Sequence, residues 1–529
     1  MTASSSDSSR DTITRSAGRA SLATFLSRIL GLIRELVVAR FFGAGMATDA
    51  FNVALRIPNL LRDLFAEGTL SAAFVPTFTD KLSKHGKEEA FLLANRVGSC
   101  LAILVGAICL VGFLSAEPIA RFMAPGFAAI PGKLEVTITM TRVMMFFLLL
   151  VALAAATMGV LNSLGSFFIP ALAPSFLSVG MILGAWALAP LMPPLGYDPV
   201  VGMAFGVMLG GLGQFLVQLP PLRQHGWRPR FLPSFNDPGV RRVAALMIPA
   251  TVGLAATEFN IFMNTWIASH LVQGSVSWLN YAFRLVQLPI GVFGVAVGSA
   301  TLPAVSRMLA EGRRADVLGS LTHSLTLVLA LNLPASAGLV VLSEPITRLL
   351  YQGGHFSAGD TLQTAMALEA YCIGLFAYSG VKVVVPFFYA LGDARVPTVI
   401  SFVSVAINVS FNLAVMHRLG HVGLALGTSL SALVSFALLM ALLRRRLGKG
   451  PSTLAATVRI GLATLVMGGV CHWLATEIVA RAGTATLLAR LAAVALPIAA
   501  GVATLAAVLW LLRAPELQLF TRALRLRRR

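Results

Sequence analysis

Residues 27–68 read SRILGLIRELVVARFFGAGMATDAFNVALRIPNLLRDLFAEG. Two apolar runs meet at the turn "GAG", yet between them they carry Arg28, Arg34, Glu35, Arg40, Asp49, Arg56, Arg62, Asp63 and Glu67. Runs this apolar belong in lipid, where each ionisable side chain at mid-membrane costs about 2.5–3.5 kcal/mol on insertion scales. The fold therefore turns on whether the rest of the chain is lipid-soluble too.

It is. The 529 residues are 57% hydrophobic and only 12% charged, too apolar to present a solvated surface. Apolar runs of about 20 residues, enough to cross a ~30 Å hydrocarbon core, recur nearly end to end, roughly fourteen in all. The expected class is an all-α integral membrane protein. The longest polar connections, "RQHGWRPRFLPSFNDPGVRR" and "YQGGHFSAGD", are too short to fold separately, so any chemistry lies among the helices. Cys100, Cys109, Cys372 and Cys471 fall singly in apolar segments, which argues against a disulfide framework or a metal site.

The net charge is +19, and the tail "RALRLRRR" invites a nucleic-acid reading. The placement of the charge argues otherwise. Basic residues gather before the first span (Arg10, Arg15, Arg19), after the second (Lys81, Lys84, Lys87) and after the sixth (Arg223, Arg228, Arg230). They recur after the eighth (Arg307, Arg313, Arg314), after the twelfth (Arg444, Arg445, Arg446) and at the end. The alternate connections carry few. This is the positive-inside pattern; it expects both termini in the cytoplasm and the tail on anionic lipid, with no nucleic-acid partner. The first twenty residues are polar and lack the apolar core of a cleaved signal, so the N-terminus is expected to stay inside.

The chain also repeats itself. "LGSFFIP" at 164–170 returns as "LGDARVP" at 391–397, and Pro76 returns as Pro303, at a common offset of about 227 residues. "VGMAFGVML" at 201–209 matches "VGLALGTSL" at 422–430, and Arg223 matches Arg444, at a slightly shorter offset. Two parallel six-helix lobes around a central cavity follow, a transporter layout. The expected divisions are a cytoplasmic tail at 1–19, a first lobe at 20–225 with helices one to six, and a second at 240–446 with helices seven to twelve. A two-helix addition at 452–513 and a basic cytoplasmic tail at 514–529 complete them.

Within that frame the charged stretch has a purpose. Asn52, Arg56, Asn59, Asp63 and Glu67 recur at steps of three and four, making one polar stripe on a helix that Pro58 interrupts. Arg28 and Arg34 line the helix before it, with Glu35 alongside. Arg284, in "WLNYAFRLVQLPIGVFGVAVGS", has no acidic residue near it in sequence. Arg40 and Arg56 suit interfacial snorkelling. Arg28, Arg34, Arg62 and Arg284 are the candidate binding set for an anionic ligand, because a planar guanidinium can hold phosphate in bidentate fashion. Asn264, Asn408, Asn412 and Thr428 form a candidate cation site whose oxygens suit Na⁺, although interhelical hydrogen bonding explains them equally well. An enzyme is not expected: His225, His355, His417 and His421 lie singly, and Glu344 and Asp360 read as solvated loop charges.

"SRILGLIRE", "FGAGMATDAFNVALRIPNLLRDLFAEGTLSAAFVP" and "GSVSWLNYAFRLVQLPIGVFGVAVG" resemble segments of the MurJ (MviN) family, over essentially the whole chain. These are bacterial lipid II flippases of the multidrug, oligosaccharidyl-lipid and polysaccharide exporter superfamily. The resemblance implies an inner-membrane transporter that moves undecaprenyl-pyrophosphate-linked peptidoglycan precursor from the cytoplasmic to the periplasmic leaflet. Its implied partners are lipid II, membrane lipids and, as candidates, cell-wall synthesis proteins. It also implies that Arg28, Arg34, Arg62 and Arg284 line a cationic cavity, that Asp49 is a functionally important acid, and that the two added helices border a groove for the lipid tail. Phe283 and Gln287 stand where some relatives carry acids, which makes the surroundings of Arg284 more cationic here. Outward movement of an anion is favoured by an inside-negative potential, so the expected drive is the membrane potential. The open alternatives are a flippase for another polyprenyl-linked glycan and a multidrug exporter of the same fold.

Overall fold

The computed structural model describes residues 4–63, 68–448 and 453–515. Among them the regular structure is helical, apart from one β-bridge between Gly353 and Phe356. Packing divides the chain into two compact units, Met1–Gly274 and Ser275–Arg529.

Glycines set the breaks. The first helix, Ser4–Phe42, stops where Gly43 adopts φ 66°, and Thr48 Oγ1 donates to the Gly43 carbonyl at 2.8 Å to start Met46–Arg62. Gly68–Leu114 is two helices joined at Gly86, φ 82°, and Arg395–Leu447 is two joined at Gly420, φ 55°. A Cβ is crowded in that left-handed region, and glycine has none.

Eight helices among the described residues are long and apolar enough to cross a membrane, or nine if the bent pair Ala358–Cys372 and Leu375–Ala390 counts as one span. The expected number of about fourteen is not confirmed by that measure. Two of the eight run 46 and 53 residues and contain the breaks at Gly86 and Gly420. Met46–Arg62 and Ser275–Pro289, which carry arginines, are only 17 and 15 residues long.

In the first unit, Leu70, Phe74 and Phe78 pack with Leu93, Val97 and Leu148. One close approach is glycine on glycine: a Cβ built on Gly180 would lie 2.3 Å from the Gly206 carbonyl oxygen, and one on Gly206 would lie 2.4 Å from that of Gly180. Lipid offers little hydrophobic drive between helices, so close packing and hydrogen bonds hold them together. The seventh helix, Pro238–Ser269, which the repeat places with the second lobe, packs in this unit against Gly68–Leu114.

The connection before the seventh helix is held along residues 95–99. Asn95 Nδ2 donates to the Arg228 carbonyl at 3.0 Å, the Arg230 N–H to Asn95 Oδ1 at 3.2 Å, and the Leu232 N–H to Ser99 Oγ at 2.8 Å. Asp237 then caps the helix, accepting from the Gly239 and Val240 N–H groups at 2.8 and 3.1 Å, and pairs with Arg96. Burial works against the Asp237 carboxylate, but those N–H groups and the guanidinium outweigh it and hold its pKa below the ordinary value.

In the second unit, Val383, Val384, Phe387 and Phe388 pack with Leu325 and Leu443. Gly298 lets Ala296–Ala310 approach Leu375–Ala390 closely, since a Cβ there would lie 2.4 Å from the Lys382 carbonyl oxygen. The added hairpin, Leu454–Ala482 and Leu487–Leu511, packs on Arg314–Val341. Arg490 fastens it, donating to the carbonyls of Thr484 at 2.7 Å and Gln352 at 3.0 Å.

Candidate functional site

In the first unit the arginines stand beside acids. Arg34 pairs with Glu35 at 2.5 Å and Arg62 with Asp63 at 2.8 Å, while Arg28 is exposed and has no ion pair among the described residues. Arg56, Asn59, Arg62 and Asp63 are all half-buried on one helix. Asn59 Oδ1 is buried and has no hydrogen-bond partner among the described residues. Glu67, the last member of the stripe, lies outside them.

Two residues join this set that the sequence reading did not single out. Glu258, on the seventh helix, is 9% exposed, and its carboxylate feels the charges of Asp63, Arg56 and Arg62. Its signal was an acid within a span, "ATEFNIFMN". Lys133 is the second. Its Nζ lies 2.8 Å from Asp49 Oδ2, both side chains are buried, and the ammonium stands 4.0 Å from the Phe127 ring centroid. Asp49 Oδ2 also accepts from the Gly274 N–H at 2.8 Å. Asp49 is therefore committed to protein groups: it ties the start of Met46–Arg62 to the residue that opens Lys133–Met145. The signal for Lys133 was a lysine in a connection that the charge alternation assigns to the other side.

In the second unit, aromatic contacts fix the helix Ser275–Pro289 and so orient Arg284. Trp278 Nε1 donates to Asp360 Oδ1 at 2.9 Å and its ring lies 4.9 Å from that of His421. Tyr281 meets Tyr351 with its ring tilted 45° at 4.8 Å, and Phe283 meets Tyr371 edge-on at 5.2 Å. Tyr281, Leu285 and Val286 are buried, whereas Arg284, Gln287 and Leu288 are exposed on another face. Phe283 thus supplies an aromatic contact beside Arg284.

The same helix borders a cavity of about 810 Å³. Leu285, Leu288 and Pro289 line it on one side, and Met467, Cys471 and Leu505 of the hairpin on the other. Every residue around it is apolar. Leu288 lies one helical turn from Arg284, so an exposed guanidinium and a hydrocarbon-walled chamber share one helix.

The candidate cation residues fall in both units, Asn264 in the first and Asn408, Asn412 and Thr428 in the second. Asn408 and Asn412 are fully buried; Asn412 Nδ2 donates to Asn408 Oδ1 at 3.2 Å and Asn408 Nδ2 to Thr428 Oγ1 at 3.4 Å. Asn264, on the seventh helix, donates to Asn260 at 2.8–2.9 Å. The Asn412–Asn408 and Asn264–Asn260 bonds run within one helix, and only the Asn408–Thr428 bond joins two helices, across the break at Gly420. Among the described residues no cluster of His, Cys, Asp and Glu suits a metal ion.

Comparisons with known proteins agree with one another. Residues 38–494 match the family described as "Lipid II flippase MurJ". The chain is 35% identical over 462 residues to the probable lipid II flippase MurJ of Vibrio cholerae, covering 86% of this chain and 87% of that protein. It is 36% identical over 458 residues to the lipid II flippase MurJ of Burkholderia cenocepacia, covering 85% and 88%. A solved structure described as lipid II flippase MurJ, inward closed conformation, superposes with a TM-score of 0.76 at 24% identity, over 93% of this chain and 99% of that one. An inward-facing transporter of the multidrug resistance MATE family shares the fold at TM-score 0.65 and 16% identity, over 82% and 98%.

Proposed function

This chain belongs to the MurJ family of lipid II flippases, and from that membership we propose that it carries lipid II across the bacterial inner membrane, from the cytoplasmic to the periplasmic leaflet. It is a multi-pass membrane transporter and not an enzyme. The observation that carries the chemical reading is Arg284 one turn from a chamber walled only by apolar residues. A polyprenyl pyrophosphate has those two parts: an anionic head for a guanidinium and a hydrocarbon tail that needs no polar partner.

Taking each unit by itself, we assign pyrophosphate-binding roles to Arg28, Arg34 and Arg62 in the first unit and to Arg284 in the second. Glu35, Asp63 and Glu258 balance charge on Arg34 and Arg62 while no ligand is present, which lowers the cost of holding those cations in a membrane. The pyrophosphate competes with these acids on entry, and they regain the arginines on release. The lipid tail rests in the chamber beside the hairpin. Transport proceeds by alternating access, and an inside-negative potential favours the outward step by about 2.3 kcal/mol per charge per 100 mV. In this scheme Asn408 ties its helix to Thr428 beyond the Gly420 break, Asn412 supports Asn408, and no step depends on Na⁺.

The test is depletion in the host, followed by treatment of cells with an external enzyme that cleaves lipid II. Newly made lipid II becomes inaccessible on depletion; wild type restores access and Arg284→Ala does not. Persistent access to lipid II, with another polyprenyl-linked glycan trapped inside, would assign the protein to that cargo instead.

A further inference from the structure

Two smaller pockets occupy equivalent places in the repeat. In the first unit, a pocket of about 250 Å³ lies among Phe74, Gly98, Ala102, Leu153 and Phe215, with Trp227 over it. In the second unit, a pocket of about 400 Å³ lies among Leu325, Leu329, Gly380 and Phe436, where Thr453 and Thr457 at the start of the hairpin stand in place of the Trp227 loop. The sequence offsets map one wall onto the other: Gly98 onto Leu325, Ala102 onto Leu329, Leu153 onto Gly380 and Phe215 onto Phe436. Each pocket has one arginine among its lining residues, Arg230 in the first and Arg444 in the second, and neither is lined by an acid. Both arginines are exposed, on the side that the charge alternation assigns to the cytoplasm.

The first pocket holds a second sign of a ligand. Asn95, Ser99 and Thr157 at its wall are all hydrogen-bonded to protein. Trp227 is 7% exposed, yet its Nε1 is buried with no hydrogen-bond partner among the described residues. An indole N–H left so costs about 1–3 kcal/mol, which an acceptor brought by a ligand would relieve. Around it the loop displays Phe231 at 67% and Phe235 at 52% exposure beside Arg228, a pattern suited to the headgroup layer of a bilayer. Leu209, Leu212 and Leu216 of the sixth helix are exposed nearby in sequence to Phe215, so hydrocarbon is to hand.

We propose that each of these pockets binds an anionic phospholipid of the cytoplasmic leaflet, with an acyl chain among the apolar walls and the phosphodiester on Arg230 or Arg444. In the first, the Trp227 N–H donates to an ester or phosphate oxygen. Charge decides the class of lipid, because a guanidinium with no lining acid favours a net-negative headgroup over a zwitterionic one. These sites share no lining residue with the Arg284 chamber and do not depend on which glycan lipid is carried.

The test uses the full-length protein in nanodiscs containing phosphatidylglycerol or phosphatidylethanolamine with brominated chains. Bromine quenches nearby tryptophan, and the difference between wild type and Trp227→Phe isolates the Trp227 signal. Phosphatidylglycerol should quench it at about five-fold lower mole fraction, the factor one basic residue near an anionic lipid contributes. Arg230→Gln should erase that preference while leaving quenching by both lipids. Gly98→Leu should remove quenching by both; a Cβ at Gly98 meets nothing within 4 Å, so the added side chain enters the pocket without moving the backbone. Native mass spectrometry, which needs no tryptophan, should count one fewer retained phosphatidylglycerol in Arg230→Gln and two fewer when Arg444→Gln is added. Equal quenching by the two lipids in wild type, or an unchanged count in the double variant, overturns the proposal. So does displacement of the lipid by millimolar inorganic phosphate, which would mark a site for small anions.

Discussion

At the residue scale, legibility followed cost. Arg28, Arg34, Arg62 and Arg284 stood out in the sequence because charge in an apolar span needs a reason, and any reader of composition meets them. Their pairings were less uniform. Glu35 and Asp63 are sequence neighbours of Arg34 and Arg62 and could be foreseen, but Lys133 lies far along the chain from Asp49 and only the fold brings them together. Removing one member of that buried pair strands the other charge, so Asp49→Leu or Lys133→Met alone should destabilise by about 3–5 kcal/mol. The double variant Asp49→Leu/Lys133→Met should recover most of that loss. Denaturation of the four proteins in matched detergent reads the cycle, and additive losses would show that the pair is not coupled. Glu258 makes a different prediction. Glu258→Gln removes a counter-charge from Arg56 and Arg62, and should tighten binding of inorganic pyrophosphate by roughly two- to five-fold in a calorimetric titration.

At the element scale, the helices follow from apolar runs punctuated by glycine. The turn at Gly43 was visible as "GAG", whereas the breaks at Gly86 and Gly420 have glycines no different in local sequence from those that merely pack. Gly180 and Gly206 illustrate the other use: both are helical, and their value lies in a contact between helices that no single-segment reading contains. The loop from Arg228 to Asp237 read as a polar connection, but four hydrogen bonds with Asn95 and Ser99 make it a strap. Its anchor has a pH signature. Because the folded-state pKa of Asp237 is lowered, its contribution is present above the unfolded value of about 3.9 and fades as pH falls through the lower folded value. Amide exchange in residues 228–237 should therefore stay slow at neutral pH and accelerate only under strongly acid conditions. Asp237→Asn, which loses the charge-assisted pair with Arg96, should accelerate it already at pH 7.

At the scale of the whole molecule, class and repeat were legible because they are statistical properties of a long chain: hydropathy, the alternation of basic connections, and one offset shared by several motifs. The grouping of Pro238–Ser269 with the first compact unit was not, since sequence order counts helices while packing decides which neighbours they keep. Transport of a pyrophosphate belongs to this scale too. In reconstituted vesicles, imposing an inside-negative potential should speed outward movement of lipid II, and collapsing it with a potassium ionophore should slow movement severalfold; indifference to potential would remove the electrical drive from the scheme. The chamber beside Arg284 carries a pharmacological corollary. With hydrocarbon on every wall and one exposed guanidinium a helical turn away, it defines a minimal pharmacophore of a single anionic head on an isoprenoid-like chain. Under the proposed assignment of the lipid tail to this chamber, a competitive antibiotic needs neither sugar nor peptide.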